Sequence, residues 1–260
     1  MTAILFDLDD TLLVDEEISR QALLESAHLA ARLYSADPVR LVQDARALAV
    51  GLWPGNPARP YCNEIGITAE ECLWGGFADP ALQTLRKWSL AFRDELFGTA
   101  LNLQGIRADG HALAEEFSAS RRRLQRLMPG ARETLELLKP AHKIGLLTNG
   151  APDLQREKIA ASGLEGFFDA IAVSGEHGVG KPNPRIFEIL LGELGCPPDQ
   201  AVMVGNSLAR DILGARNAGI AQTVWLKVAG SEEFADVSPD HTITALDQLP
   251  PLLGEPDSNG

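Results

Sequence analysis

The sequence predicts an α/β fold in which a doubly wound parallel sheet carries an all-helical domain inserted after the first strand. Two patterns predict the sheet: short continuous apolar runs, typical of strands covered on both faces, and helical patterns between the later runs. One pattern predicts the insertion, because a long stretch after the first run has helical periodicity and no strand-like run. With 260 residues, 45% of them hydrophobic, the chain can bury a sizeable core.

The predicted strands are short and bounded by Gly, Asp or Asn, at 3–6, 143–148, 170–174, 201–205 and 222–226. Helices of the sheet domain are predicted at 131–138, 153–162, 183–194 and 208–218. Helices of the insertion are predicted at 16–34, 37–50, 79–97 and 109–126. The predicted boundaries are therefore a core domain of 1–13 and 128–253, a helical domain of 14–127 and a flexible tail of 254–260.

The formal net charge of −13 makes nucleic acid and anionic membranes unfavourable partners, because both repel an acidic protein. A site for a phosphate ester would have to supply local positive charge. The three cysteines have no metal-ligand spacing and are predicted to be reduced thiols. With no basic leader and no membrane-length apolar run, a cytoplasmic monomer or homodimer is expected. Residues 121–123, three consecutive arginines, are predicted to form a solvated helix face.

Polar residues follow four of the predicted strands, at the point where each strand ends. The carboxyl ends of parallel strands meet at one edge of a sheet, which is where such folds bind ligands. One site is therefore expected there, with contributions from each strand in turn: Asp7, Asp9 and Thr11; Thr148, Asn149 and Gly150; Lys181; Asn206 and Asp211.

These residue types suit phosphoryl transfer. Of two aspartates two residues apart, one can be a nucleophile and the other a proton donor to a leaving oxygen. Several carboxylates near one point repel each other unless a cation lies among them, and such oxygen ligands suit Mg²⁺. Lys181 would bind a phosphoryl oxygen, while a threonine hydroxyl and the backbone N–H groups of Asn149 and Gly150 would bind the others. The pattern predicts in-line displacement at phosphorus.

Four segments together resemble the motifs of the haloacid-dehalogenase-like (HAD) hydrolase superfamily, in its phosphatase branch. In chain order they read FDLDDTL, LLTNG, GVGKPNPRIF and VGNSLARDILGARNAG. The resemblance covers 1–13 and about 130–228. It implies a Rossmann-like core, and it implies that the helical insertion is a cap that closes over the site and selects the substrate.

The resemblance also implies a role for each matching residue. Asp7 would be the nucleophile, and Asp9 would protonate the leaving group and then activate water. Thr148 and Lys181 would hold the transferring phosphoryl group. Magnesium would bind Asp7, the Asp9 carbonyl and the fourth motif, whose residues here are Asn206 and Asp211. The family usually has an aspartate where this chain has Asn206, so a weaker metal site is expected.

The sequence leaves the substrate open among small phosphorylated metabolites. A weaker resemblance around Trp74 to phosphoserine phosphatase-like members makes phosphoserine the leading candidate, with a nucleoside monophosphate or phosphoglycolate as alternatives. Two other functions also fit the pattern. One is phosphomutase-type transfer, and the other is a non-catalytic binding protein that kept the fold.

Overall fold

The computed structural model describes residues 2–231, 233–234 and 236–254. Beyond Gly254, the predicted tail lies outside the described residues. The chain divides into two compact units. A sheet unit contains the chain up to Val14, Arg126–Asn149 and the chain from Gln155 onward, and a helical unit contains Asp15–Gln125 and Gly150–Leu154. The sequence interpretation assigns Gly150–Leu154 to the sheet domain, so their grouping with the helices is a new finding.

Within the described residues, the sheet has six parallel strands in the order β3-β2-β1-β4-β5-β6. Their bounds are β1 Ala3–Phe6, β2 Lys143–Thr148, β3 Ala170–Val173, β4 Ala201–Gly205, β5 Gln222–Leu226 and β6 His241–Ile243. The predicted parallel sheet is confirmed. The sequence analysis missed β6, because three residues of mixed polarity do not form a continuous apolar run.

The helices alternate with the strands only after β2. In chain order they are α1 Glu16–Tyr34, α2 Pro38–Leu52, α3 Arg59–Ile65, α4 Gln83–Asn102, α5 His111–Arg123, α6 Ala131–Leu138, α7 Pro152–Ser162, α8 Ser174–His177, α9 Pro184–Leu194, α10 Leu213–Asn217 and α11 Leu249–Leu252. A π-helical turn, Leu208–Ile212, precedes α10. Helix α3 lies in a proline- and glycine-rich stretch, and Pro60 occupies its first turn, where proline is tolerated.

Side chains of the central strands alternate between two cores, which makes the sheet doubly wound. One core combines one face of the strands with α6 and α11, and its members include Ile4, Phe6, Ile144, Leu146, Val202, Val204, Leu135 and Leu249. The other combines the opposite face with α9, and its members include Ala3, Leu5, Leu147, Met203, Ile186, Phe187 and Leu190. Covering both faces requires the near-continuous apolar runs from which the strands were predicted.

The helical unit has its own core, with Phe92, Phe97 and Phe117 among its fully buried side chains. Arg121 is also buried there, contrary to the predicted solvated face. Its Nε donates to Ser19 Oγ over 2.8 Å, its Nη2 pairs with Asp15, and its guanidinium lies 4.8 Å from the centre of the Trp74 ring. Helical periodicity could not predict this, because the partners come from distant segments of the chain. No helix in the described part of the chain is long and apolar enough to cross a membrane.

Candidate active site

Asp7 lies directly after β1, at the point where the strand order reverses between β1 and β4. Its backbone N–H donates to Val204 O over 3.0 Å, which continues the strand pairing to this residue. Its carboxylate accepts hydrogen bonds from Thr11 Oγ1 at 2.9 Å and from Lys181 Nζ at 2.5 Å. Burial raises the pKa of Asp7 above its usual value, and Lys181 opposes this shift. The crevice beyond such a reversal is the usual ligand site of a doubly wound sheet.

The chain after Asp7 folds into a tight turn that returns the Thr11 hydroxyl to the Asp7 carboxylate. The carbonyl of Leu8 accepts N–H groups from three residues: Thr11, Leu12 and Leu13. Asp10 adopts the left-handed conformation with φ of 56°, which aspartate tolerates better than most side chains. The turn explains how the sequence DLDDTL positions the Thr11 hydroxyl against Asp7.

Lys181 connects two carboxylates at the centre of the site. Its Nζ donates to Asp7 Oδ1 and to Leu147 O, and it lies 2.8 Å from Asp211 Oδ1. Burial alone would lower the pKa of Lys181, but the charges of Asp211 and Asp7 raise it above its usual value. One ammonium group therefore faces two buried carboxylates, which leaves this part of the site with excess negative charge.

Asn149 fixes the loop that carries Lys181. Its Oδ1 accepts the Lys181 N–H at 2.8 Å, and its Nδ2 donates to the Lys181 carbonyl at 3.0 Å. A Cβ atom on Gly180 would lie 2.8 Å from Asn149 Oδ1, so glycine is needed beside this pair. After the loop, Asn183 caps α9 by accepting the Arg185 N–H. The sequence analysis expected the Asn149 backbone to bind substrate and missed this role of its side chain.

Gly150 belongs to the helical unit. Its N–H donates to Ile65 O over 3.0 Å, within the helical unit. The N–H group that was predicted to bind a phosphoryl oxygen is therefore already engaged. The sequence could not reveal this, because the acceptor lies on a helix more than eighty positions away. We leave Gly150 out of the substrate-binding set.

Asp211 reaches the site from the π-helical turn after β4. Ser207 caps this turn by accepting the Arg210 N–H, and the Ser207 N–H donates to Asp211 Oδ2 over 2.9 Å. The neighbouring Asn206 is half-buried, and its carbonyl accepts the Trp225 indole N–H at 2.8 Å. These bonds fix the backbone of the fourth motif beside the carboxylate.

Replacing Gly205 by alanine is expected to destabilise the sheet unit and lower its activity. A Cβ atom there would lie 2.4 Å from Asp211 Oδ2, so the carboxylate that pairs with Lys181 would have to shift. Overpacking of this kind costs about 1–3 kcal/mol, which urea unfolding would measure. Gly166→Ala is the matched control, because a Cβ there would meet nothing within 4 Å. Equal stability of the two variants would contradict this account of Gly205.

Asp9 points to a different set of partners, on α7. Lys158 Nζ donates to both of its carboxylate oxygens, at 3.0 and 2.9 Å. Gln155 Nε2 donates to Asp9 Oδ2 at 2.9 Å and to Thr148 Oγ1 at 2.5 Å. The sequence analysis missed Gln155 and Lys158. Their spacing of three residues places them on one helix face, but this spacing alone does not distinguish a buried polar pair from a solvated one.

The predicted magnesium ligands thus comprise two buried carboxylates, one backbone carbonyl and one amide residue. Among the described residues, no three side chains of His, Cys, Asp or Glu form a cluster that could hold a metal. Excess negative charge beside Lys181 and hard oxygen donors fit a divalent cation such as Mg²⁺.

The chain is similar to known proteins along most of its length. The family model for haloacid dehalogenase-like hydrolases matches residues 1–219. The chain is 38% identical over 251 residues to the phosphoserine phosphatase of Thermus thermophilus, covering 96% of this chain and 98% of that protein. It is 30% identical over 257 residues to the N-acylneuraminate-9-phosphatase of Rattus norvegicus, covering 96% and 93%.

Solved structures show the same fold. The HAD-hydrolase YfnB from Bacillus subtilis, solved bound to magnesium, superposes with a TM-score of 0.67 at 22% sequence identity, covering 97% of this chain and 98% of that one. The family match spans all four motifs that the sequence analysis identified. The chain therefore belongs to the haloacid dehalogenase-like hydrolase family.

Proposed function

We propose that this phosphoric monoester hydrolase removes phosphate from a small metabolite through a covalent phospho-aspartate at Asp7, with Mg²⁺ bound. One observation carries the proposal: a buried carboxylate at the switch point of the sheet is held by a hydroxyl and an ammonium group, from Thr11 and Lys181. A structural aspartate needs no such placement, whereas a nucleophile must be held in one orientation for in-line attack.

In the first step, a carboxylate oxygen of Asp7 attacks phosphorus and the bond from phosphorus to the leaving oxygen breaks. Asp9, which must carry a proton when the substrate is bound, passes that proton to the leaving oxygen, so the alcohol departs neutral. Lys181 and the Thr148 hydroxyl hold the phosphoryl oxygens while their charge redistributes. Thr11 and Lys181 both donate to Asp7, and this favours its ionised, nucleophilic form against the effect of burial.

In the second step, a water oxygen attacks the phosphorus of the intermediate. Asp9, now a carboxylate, takes a proton from that water. The bond between phosphorus and the Asp7 oxygen breaks, which returns Asp7 to its carboxylate form and releases inorganic phosphate. One residue thus serves as acid and then as base, and the enzyme ends the cycle in its starting protonation state.

The ligands we propose for Mg²⁺ are Asp7, the Asp9 carbonyl, Asn206 and Asp211. The charge balance beside Lys181 supports this set, because two buried carboxylates face one ammonium group. When bound, the ion would neutralise charge on the transferring phosphoryl group and orient it towards Asp7.

We propose phosphoserine as the first substrate to test, because the relative that is 38% identical along nearly its whole length is a phosphoserine phosphatase. Nucleoside monophosphates and phosphoglycolate remain candidates. The proposed cap is the helical insertion 14–127. The three cysteines are free and buried, which supports a reducing compartment such as the cytoplasm.

A panel of these phosphate esters, assayed for phosphate release with Mg²⁺, tests the proposal. We expect one ester to be hydrolysed at a rate that depends on Asp7. Transfer of phosphate between positions of a sugar phosphate, without release, would instead support a phosphomutase. Binding of the panel without turnover would support a non-catalytic protein.

Activity is expected to stop in excess chelator and to return with added Mg²⁺. Asn206→Asp is then expected to lower the half-saturating Mg²⁺ concentration about tenfold, because a tenfold change needs only about 1.4 kcal/mol of added attraction. Titration of Mg²⁺ against hydrolysis in both proteins measures this. Activity that survives the chelator would contradict the metal proposal, and an unchanged or higher half-saturating concentration would remove Asn206 from the ligand set.

A further inference from the structure

A buried polar chain connects Asp9 to Thr148 through two side chains of α7. Lys158 Nζ lies 3.0 and 2.9 Å from the two carboxylate oxygens of Asp9. Gln155 Nε2 bridges Asp9 Oδ2 and Thr148 Oγ1. Lys158 is 2% exposed and Gln155 is fully buried. The four residues come from three separate segments of the sheet unit.

Burial makes this arrangement specific. A buried ammonium group is costly unless it is paired, and a buried amide must find hydrogen-bond partners. Both groups have a partner in Asp9, which leaves its carboxylate with donors on both oxygens. A carboxylate bonded in this way cannot rotate freely about its side-chain torsions.

The hydrogen-bond directions also determine which way the Thr148 hydroxyl can donate. Once Asp9 has given up its proton, its carboxylate only accepts, so Gln155 must present its NH₂ group to Asp9 in that state. The same NH₂ group lies 2.5 Å from Thr148 Oγ1, so the threonine oxygen accepts there. The hydroxyl hydrogen of Thr148 must then point elsewhere, as it would when it donates to a phosphoryl oxygen.

We propose that Lys158 and Gln155 are positioning residues that orient the Asp9 carboxylate and the Thr148 hydroxyl for the two steps of phosphate hydrolysis. This inference rests on the proposed function. Neither residue touches the substrate. In the first step the oriented Asp9 gives its proton to the leaving oxygen, and in the second its carboxylate takes a proton from the attacking water.

The experiment compares Lys158→Met and Gln155→Met with wild type. Arg156→Met is the matched control, because it removes a cation from the same helix that pairs with Glu176 instead. Two substrates separate the steps. Phosphoserine, or the fastest alkyl phosphate of the panel, needs a proton on its leaving oxygen, whereas p-nitrophenyl phosphate has a leaving group that departs without one.

On the alkyl phosphate, kcat of Lys158→Met is expected to fall on the order of 10–100-fold with KM nearly unchanged, a part of the about 10²–10⁴-fold that general acid–base catalysis contributes. On p-nitrophenyl phosphate, the first turnover should persist as a burst of one nitrophenolate per enzyme. Slow turnover should follow, because activation of water still needs Asp9. Gln155→Met should show the same burst, and Arg156→Met should behave as wild type.

A merely structural role for Lys158 would lower the burst amplitude together with the fraction of folded enzyme, and that result would overturn the inference. So would variants that hydrolyse the alkyl phosphate as fast as wild type or faster. If Lys158→Met fails to fold, the burst amplitude of Gln155→Met distinguishes a positioning role from a merely structural one. A wild-type enzyme that hydrolyses no phosphate ester would overturn the proposed function itself. Failure of the positioning role alone would instead leave the wild-type enzyme active.

Discussion

Asp7→Asn is expected to reduce phosphate release by on the order of 10⁴-fold or more, as the loss of a covalent nucleophile does in other enzymes. Asparagine has nearly the same shape, and its oxygen could still accept from Thr11 Oγ1. Its neutral amide group cannot attack phosphorus to form an acyl phosphate. The variant should therefore fold normally and still bind the substrate. Phosphate release and thermal unfolding, measured side by side, test both halves of this expectation.

Asp169→Asn is the matched control for this variant. Asp169 also accepts from a lysine, Lys139 Nζ at 2.6 Å, and from the Ile144 N–H, but it precedes β3 at the opposite end of the sheet. Losing that carboxylate should leave turnover unchanged. Wild-type rates in Asp7→Asn would remove Asp7 from the chemistry, whatever the control shows.

Lys181→Met is expected to have the second-largest effect, on both activity and stability. The variant loses the cation that lies between Asp7 and Asp211, and breaking a buried ion pair in this way costs about 3–5 kcal/mol. Turnover should fall about 10²–10³-fold, because a donor to the phosphoryl group is lost. Urea unfolding and initial rates measure the two effects.

The stability loss in Lys181→Met should depend on pH with a definite sign. The pKa of Asp7 is already raised by burial, and removing Lys181 raises it further in the folded state. A carboxyl group with a raised folded pKa binds protons more tightly when folded, so the variant should recover stability as pH falls through that folded pKa towards the ordinary carboxyl range. Adding Asp211→Asn should also restore stability. A deficit that neither low pH nor the second change reduces would contradict the ion-pair account.

Much of the site could be predicted because it lies where strands end. Asp7, Thr148 and Asn206 follow apolar runs, and the parallel order of the strands brings such residues to one edge of the sheet. The four motifs added an expected role for each residue. The short strand β6 escaped detection because strands of three residues have no measurable periodicity.

The residues that the sequence did not reveal are the ones whose roles depend on tertiary partners. Lys158 and Gln155 are separated from Asp9 by 149 and 146 positions, and nothing local distinguishes them from solvated helix residues. The side chain of Asn149 was overlooked for the same reason, because its partner is the backbone of Lys181 across 32 positions. Nothing local in the sequence indicates that the Gly150 N–H donates to Ile65 O, for the same reason.

The covalent intermediate is the central claim, and chemical trapping tests it most directly. Wild-type enzyme should be mixed with its substrate, quenched within one turnover and treated with borohydride, which reduces an aspartyl phosphate to homoserine. Peptide mass spectrometry then locates the reduced residue. We expect homoserine at position 7 in the quenched wild-type enzyme and none without substrate. Reduction at another aspartate, or full turnover with no reducible residue at position 7, would contradict the assignment of Asp7 as the nucleophile.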